Sequence, residues 1–295
     1  MREFRRIREL VMKTYTLKND GALKRYDYLW RLTPDRWAWE YLRRNPLFLA
    51  DAKTWSADNI TEGCACHDRI RLVRPRVSQC LAERWGLVLM PDVVLNAIEA
   101  DVIWQPDVFP DQFEVHVSPR SADETCDIFE RTVPICEVTH ISDAVGREFL
   151  LLRGKGCVVQ VRCTGLSLLS LEPVRMKLQI SDVEAYERQL KTYKQALAIY
   201  GPEPDAQTPL WTKRSQMLRD GLVALDCQAL GLGRKETACV LYGAEAVEAE
   251  WSAGGSNMKD SLRYLLKKAE GLRDGGYLSD LLGCPFEFEN TLYET

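Results

Sequence analysis

Lys259, Arg263 and Lys267 stand four residues apart, and in type and spacing they point most directly to a chemistry. On a helix that spacing stacks them along one face, where a row of positive charge can meet the phosphates of a nucleic acid. Met258, Leu262, Leu265, Leu266, Ala269 and Leu272 recur at helical intervals around them and fill a separate apolar stripe. A helix that packs on one side and shows cations on the other suits a groove-reading element. The same pattern also suits a core-packed helix whose lysines only solvate its outer face.

Two other groupings hold the residue types of metal chemistry. Cys64, Cys66 and His67, with Cys80 further on, offer thiolate and imidazole ligands. The Cys-x-Cys gap is tighter than the usual two-residue gap of zinc modules, and no second Cys or His pair follows at zinc-finger distance. Glu99, Asp101, Asp107, Asp111 and Glu114 with His116 are oxygen-rich, as a magnesium-dependent nuclease requires. The lysine that such a site would place two residues after Glu114 is missing, and loop carboxylates are commonplace. Gly154-Lys155-Gly156 and Gly231-Leu232-Gly233 lack the full spacing of a phosphate cradle and read as turns. With three histidines and no Ser, His and Asp pattern, the chain reads as a non-enzyme with neither metal nor cofactor.

The elements that must position the cations follow from periodicity and punctuation. Leu218, Leu222, Leu225 and Ala229 predict an amphipathic helix ending at Gly231-Leu232-Gly233. A shorter helix runs from Arg234 to Tyr242 and stops at Gly243, and a third spans Ala244 to Trp251. Ser256, after Gly254 and Gly255, is the expected N-cap of the basic helix, and Gly275 with Gly276 its stop. Short helices joined by glycine turns make a helix-turn-helix-like bundle from about Trp211 to Leu282.

Upstream, β-branched and aromatic runs at Trp85–Met90, Val102–Trp104, Phe113–Val117, Val133–Ile141, Phe149–Arg153 and Cys157–Thr164 alternate with Pro and Gly. They predict a β-rich region to about Ile180, with a hairpin turning at Gly154-Lys155-Gly156. Ser181 to Tyr200 then reads as a long helix. Ser181 or Asp182 is its cap, and Val183, Tyr186, Leu190, Tyr193, Leu197 and Tyr200 form its apolar face. Gly201–Pro209 reads as a linker. Near the start, Thr33 and Pro34 open a helix that Asn45-Pro46 ends. Trp37, Tyr41 and Leu42 share one face of it, while Arg36, Arg43 and Arg44 point elsewhere. The fold class is therefore α+β: N-terminal helices, a β-rich middle and a C-terminal helix-turn-helix-like helical bundle.

Two stretches carry a resemblance. The run LRDGLVALDCQALGLGRKETACVLYGAEAVEAEW, followed by SLRYLLKKAEGLRDGGYLSDLL, resembles the DNA-binding domain of RovC-like transcription factors of type VI secretion gene clusters. The resemblance rests on the order Leu-x-Ala-Leu-Asp, Lys-Glu-x-Ala, Tyr-Gly-Ala-Glu, Trp, then a basic helix ending in Gly-Gly-Tyr. LTPDRWAWEYLRRNPLFLA, Leu32 to Ala50, resembles the regulator-like segment that precedes that domain. Together they imply a homo-oligomeric activator that binds double-stranded promoter DNA. The implied contacts are Lys259, Arg263 and Lys267, with Lys268 at the edge, Arg234 and Lys235 at a helix start, and Lys213 and Arg214 at the start of the first helix. Most would hold phosphates, and Asn257 and Arg263 would read bases. Asp260 and Glu270 share the helix and compete for Lys267 or Lys268.

The chain has 295 residues and a net charge of -4, and residues 1–84 hold an excess of seven cations over anions. Nucleic-acid binding must therefore be confined to basic faces. Affinity per protomer is then modest, which favours an oligomer, possibly higher than a dimer. Ten scattered cysteines fit reduced thiols. No apolar run spans a bilayer, and a charged start, Arg2 to Arg8, lacks a signal-peptide core. A cytoplasmic protein without a membrane partner is expected. The expected division is a helical regulator-like region over 1–84, a β-rich region over 85–200 that self-associates together with the aromatic Tyr26–Phe48 stretch, and a linker over 201–209. A DNA-binding domain over 210–283 and a tail over 284–295 complete it. Two alternatives remain at this stage: an interaction scaffold of a mobile element, and a metal-dependent nuclease.

Overall fold

Proline and asparagine set the first helices. A computed structural model describes residues 23–56, 60–64, 70–121, 135–170, 172–180, 186–200, 209–251 and 257–284. The expected N-terminal charged helix, Cys66, His67, Val133, Ser181 to Val183, the linker over 201–208, Ser256 and the tail after Cys284 lie outside the described residues, as does the side chain of Tyr200. Helix α1, Pro34–Leu42, follows Thr33 at the N-cap position. The Thr33 hydroxyl makes no capping bond and is buried without a partner among the described residues. Asn45 does cap: its side chain accepts from the Leu47 and Phe48 amides and opens α2, Pro46–Thr54.

Seven strands form one mixed sheet: β1 (Ile60–Cys64), β2 (Ile70–Pro75), β3 (Phe113–Pro119), β4 (Glu137–Ser142), β5 (Glu148–Gly154), β6 (Cys157–Gly165) and β7 (Val174–Leu178). Their order is β1-β2-β4-β5-β6-β3-β7. The β2–β4 and β6–β3 pairs are parallel, and the rest antiparallel. The β5–β6 hairpin turns where expected, with positive φ at Lys155 (51°) and Gly156 (70°), as a two-residue primed turn requires. Two expected strands do not form. Trp85–Met90 and Val102–Trp104 meet only in the isolated bridge Leu87–Trp104, leaving most of both runs as apolar loop packed against the helices. Conversely, β1 and β2 come from a stretch that reads as part of the helical N-terminal region, and β2 joins the sheet beside β4.

One sheet face, with Val115, Val138, Leu150 and Val161, packs on α4, Tyr186–Ala196. That helix is rotated from its expected face. Gln189, Tyr193 and Ala196 are buried, while Tyr186 and Leu197 are nearly half exposed. Two anchors set the rotation: the Tyr193 hydroxyl donates to the Gln179 carbonyl, and Arg188 pairs with Asp111 at 2.9 Å. The other face, with Val73, Ile141, Phe149 and Leu151, packs on Val88, Leu89 and Ile103.

The N-terminal helices and the C-terminal bundle share a single core that runs from Tyr26 to Leu282. Helix α5, Lys213–Ala229, lies against α1 there, and the Tyr41 hydroxyl donates to the Leu218 carbonyl at 2.8 Å. Almost every side chain of α1 is buried, charged ones included. Arg36 donates to Asp35 and to the Val102 carbonyl, and so corrects the expectation that it points away from the core. Arg44 grips Asp226 through two bonds of 2.7 and 2.9 Å and also donates to the Glu40 carboxylate at 2.7 Å. Arg43 binds Glu40 as well, and the Tyr26 hydroxyl donates to Asp226 at 2.7 Å. Burial alone would raise the Asp226 pKa, but Arg44 and Tyr26 hold the carboxyl below its ordinary range. The rings of Trp37, Trp39, Tyr41 and Phe48 are thus spent inside the chain, which corrects their expected role in joining protomers.

Removing one member of this buried charge cluster leaves the others uncompensated. Arg44→Ala should therefore cost about 3–5 kcal/mol in urea unfolding, and a loss under about 1 kcal/mol would show that Asp226 and Glu40 are effectively solvated. A second carboxylate gives a pH signature. Glu148 accepts from the Ser167 hydroxyl and the Leu168 amide, and His140 Nε2 lies at 3.4 Å. Burial pushes its pKa up, yet these partners lower it from 4.5 to about 2. Its contribution is full above pH 4.5 and fades as pH falls towards 2. Comparing unfolding of wild type and Glu148→Gln should show the wild type losing its advantage across that window; parallel curves would contradict the contacts.

Candidate nucleic-acid interface

The bundle is built from reciprocal caps and glycine corners. The Thr212 hydroxyl accepts from the Ser215 amide at 3.1 Å, while Ser215 Oγ accepts from the Thr212 amide at 3.0 Å, fixing the start of α5. Gly231, at φ 73°, makes the corner after α5. Helix α6, Arg234–Tyr242, opens with the Glu236 carboxylate accepting from the Gly233 amide at 2.6 Å. Gly243, at φ 94°, is the whole connection to α7, Ala244–Trp251, as the sequence anticipated. Helix α8, Asn257–Gly271, runs into a π-type turn over Leu272–Gly276 before the short α9, Tyr277–Asp280. Gly275, at φ 129°, breaks the helix, in line with its expected role as a stop.

Helix α8 presents the two faces that its spacing predicts. Leu262, Leu265 and Ala269 are buried; Leu262 and Leu265 lie in a cluster with Ala224, Ala238 and Val247. Gly221 of α5 permits the close approach of α8: a Cβ there would lie 2.8 Å from the Tyr41 hydroxyl and 3.1 Å from the Ala269 Cβ. On the outside, Lys259, Arg263 and Lys267 are all exposed, as is Asn257, whereas Lys268 is half-buried.

The electrostatics of the row are uneven. Arg263 pairs with Asp260 at 3.1 Å, and the Lys259 ammonium sits 5.3 Å from the centre of the Trp251 ring. Lys267 has no ion-pair partner among the described residues. Glu270 accepts from the Gln228 amide at 3.1 Å, so the expected competition of the two acids for Lys267 or Lys268 does not occur. Lys235 pairs loosely with Glu248 at 3.4 Å, and Arg234 is exposed beside it. Arg214 donates to the Asp280 carbonyl at 2.8 Å, closing α9 onto α5, and Lys213 next to it is exposed. The row on α8 thus forms one surface, while Lys213 and Arg214 belong to the region beyond the turn. Helix α7 cannot join a phosphate-facing surface, because its exposed side chains include Glu245, Glu248 and Glu250 and it carries no cation.

One outward residue is absent from the sequence-predicted set: Tyr264, 67% exposed beside Arg263. Its position off the apolar stripe was the available signal. Among the described residues, no three His, Cys, Asp or Glu side chains converge as metal ligands. Three of the five carboxylates considered for magnesium face arginines instead: Asp101 meets Arg71 and Arg153, Asp111 meets Arg188, and Glu114 meets Arg162.

With this geometry in place, the relationships of the chain are clear. Residues 22–89 match a proteobacterial transcriptional regulator-like domain. Residues 179–282 match the RovC family model, described as a type VI secretion transcription factor DNA-binding domain. The chain is therefore a transcriptional regulator with a DNA-binding domain of the type VI secretion class. The second match begins upstream of the bundle and takes in α4, which the sequence groups with the β-rich region. No curated protein matches the chain. No helix among the described residues is long and apolar enough to cross a membrane.

The two faces of α8 should separate in stability measurements. Leu262→Ala should cost about 2–5 kcal/mol, whereas a double Arg263→Ala, Lys267→Ala variant should stay within about 0.5 kcal/mol of wild type. Equal losses in thermal unfolding would mean that the helix is turned the other way.

Proposed function

We propose that this protein is a sequence-specific regulator that binds double-stranded promoter DNA, acts as a cytoplasmic homo-oligomer and activates a type VI secretion gene cluster. The observation that carries the reading is helix α8. Its inner face is packed on Ala224, Ala238 and Val247, and its outer face holds Lys259, Arg263 and Lys267. A row of this kind fits the rim of a major groove, with Lys259 and Lys267 on phosphates. The Arg234 and Lys235 side chains at the start of α6, and Lys213 and Arg214 at the start of α5, would extend the backbone contacts, with Lys268 and Asn257 at the edges of α8. The glutamates of α7 would repel phosphate and restrict the approach to one orientation.

Self-association follows from magnitude. One short helix with few cations binds weakly, and several copies held together sum their contacts. Trp37, Trp39, Tyr41 and Phe48 are buried within the chain, which favours a joining surface on the β-rich region or on the partly exposed Tyr28 and Trp30.

The test is a salt titration of binding to a promoter fragment of the native gene cluster, with unrelated duplex as competitor. The Lys259→Ala, Lys267→Ala double variant should reduce the slope of log affinity against log salt by roughly two, about one per phosphate contact removed. A variant that titrates like wild type, or a wild type displaced equally by unrelated duplex, would refute the assignment and favour a docking scaffold.

A further inference from the structure

The outer face of α8 contains an anomaly that phosphate binding does not explain. Asp260, 73% exposed, stands among the cations of a surface that is to meet a polyanion. Its Oδ1 lies 3.1 Å from Nη2 of Arg263, one turn on, and Arg263 is itself 71% exposed. In water such a pair contributes little to stability, so folding does not account for it. The next residue, Tyr264, exposes a ring that the core does not use.

We propose that Asp260, Arg263 and Tyr264 form a base-reading unit for a guanine beside a thymine in the bound duplex. This inference rests on α8 entering the major groove. The guanidinium is a planar fork of five donors. Asp260 occupies one side of that fork and holds its plane, and the remaining donors reach the O6 and N7 acceptors of guanine. As water leaves the groove the Asp260–Arg263 attraction strengthens, so the fork is oriented when the base is read. The carboxylate also repels phosphate, keeping Arg263 on the base edge and leaving the backbone to Lys259 and Lys267. Tyr264 is turned about 100° round the helix from Arg263, on the exposed side that also holds Asp260, and its ring would reach a neighbouring base, against the 5-methyl group of thymine. Asp260 is a positioning residue in this arrangement, and Arg263 and Tyr264 touch the bases.

The experiment uses the full-length chain. Wild type first selects its preferred site from randomised duplexes, and that site is then remade with 7-deazaguanine at the guanine or deoxyuridine at the thymine. The 7-deazaguanine duplex should lose roughly tenfold to a hundredfold in wild-type affinity, and Arg263→Ala should be indifferent to the change. Asp260→Asn should keep or gain affinity for unrelated duplex while its preference for the guanine falls about tenfold. Tyr264→Ala should no longer distinguish thymine from deoxyuridine, whereas Tyr264→Phe still should. All three side chains are exposed, so circular dichroism and melting should match wild type. If wild type enriches a site and Asp260→Asn and Tyr264→Ala enrich the same site equally well, the inference fails while DNA binding stands. If wild type enriches no site, the sequence-specific DNA-binding reading itself fails.

Discussion

A buried cluster of charge holds this structure to one arrangement. Arg44 lies between Glu40 and Asp226, with Tyr26 and Arg43 completing the hydrogen bonds. Taking such groups out of water costs several kcal/mol per ion, and the cost is offset only when every partner is present. The partners come from opposite ends of the chain: Asp226 sits near the end of α5, the others between residues 26 and 44. The regulator-like helices and the DNA-binding bundle therefore form the cluster together or not at all. An apolar contact could slide along α5, but a bidentate guanidinium–carboxylate pair cannot. The cluster fixes register more than it adds stability.

Register on α5 is transmitted to α8 at Gly221. The missing side chain there admits the Tyr41 hydroxyl from one side and Ala269 from the other. The Tyr41 hydroxyl bonds the Leu218 carbonyl one turn earlier, and Asn45 donates to the Arg273 carbonyl in the turn after α8. Helix α1 and the loop after it thus touch the bundle before, beside and beyond the basic helix. The outward direction of Lys259, Arg263 and Lys267 is set by contacts that begin in the N-terminal domain. A signal that moved α1 would have a short physical route to the cation row.

Legibility from sequence follows the kind of burial each element meets. Helix α8 is covered on one side only, so its 3.6-residue period survives in the sequence and both faces were readable. The β5–β6 hairpin was readable because its turn chemistry is local. Helix α1 looked amphipathic because Arg36, Glu40 and, just after it, Arg44 look like solvent residues. Each is buried by pairing with a charge close in sequence and by a second partner far along the chain: the Val102 carbonyl for Arg36, the Ala97 amide for Glu40 and Asp226 for Arg44. Periodicity cannot reveal a helix whose charges are satisfied internally. The same limit explains α4, whose buried face includes Gln189 and was set by Tyr193 and Arg188 anchors rather than by apolar spacing. Strand β2 was missed because one of its pairing partners, β4, lies far along the chain, and β1 joins the sheet through β2.

The charge distribution shows why so small a basic surface can matter. The cation excess of residues 1–84 suggests a basic N-terminal face, yet several of its described arginines are engaged in ion pairs. Arg36, Arg43 and Arg44 serve α1, Arg71 meets Asp101, and Arg84 meets Asp51. The outward cations on the bundle are a short row on α8 next to the glutamates of α7, with Lys213, Arg214, Arg234 and Lys235 at the starts of α5 and α6. A broad basic surface would bind any duplex tightly, and non-specific affinity would then compete with recognition across a genome. A narrow row beside a repulsive face keeps the sequence-independent contribution small. In the proposed reading, discrimination depends on the few side chains that can reach base edges, and the buried cluster on α1 and α5 fixes the helix that carries them.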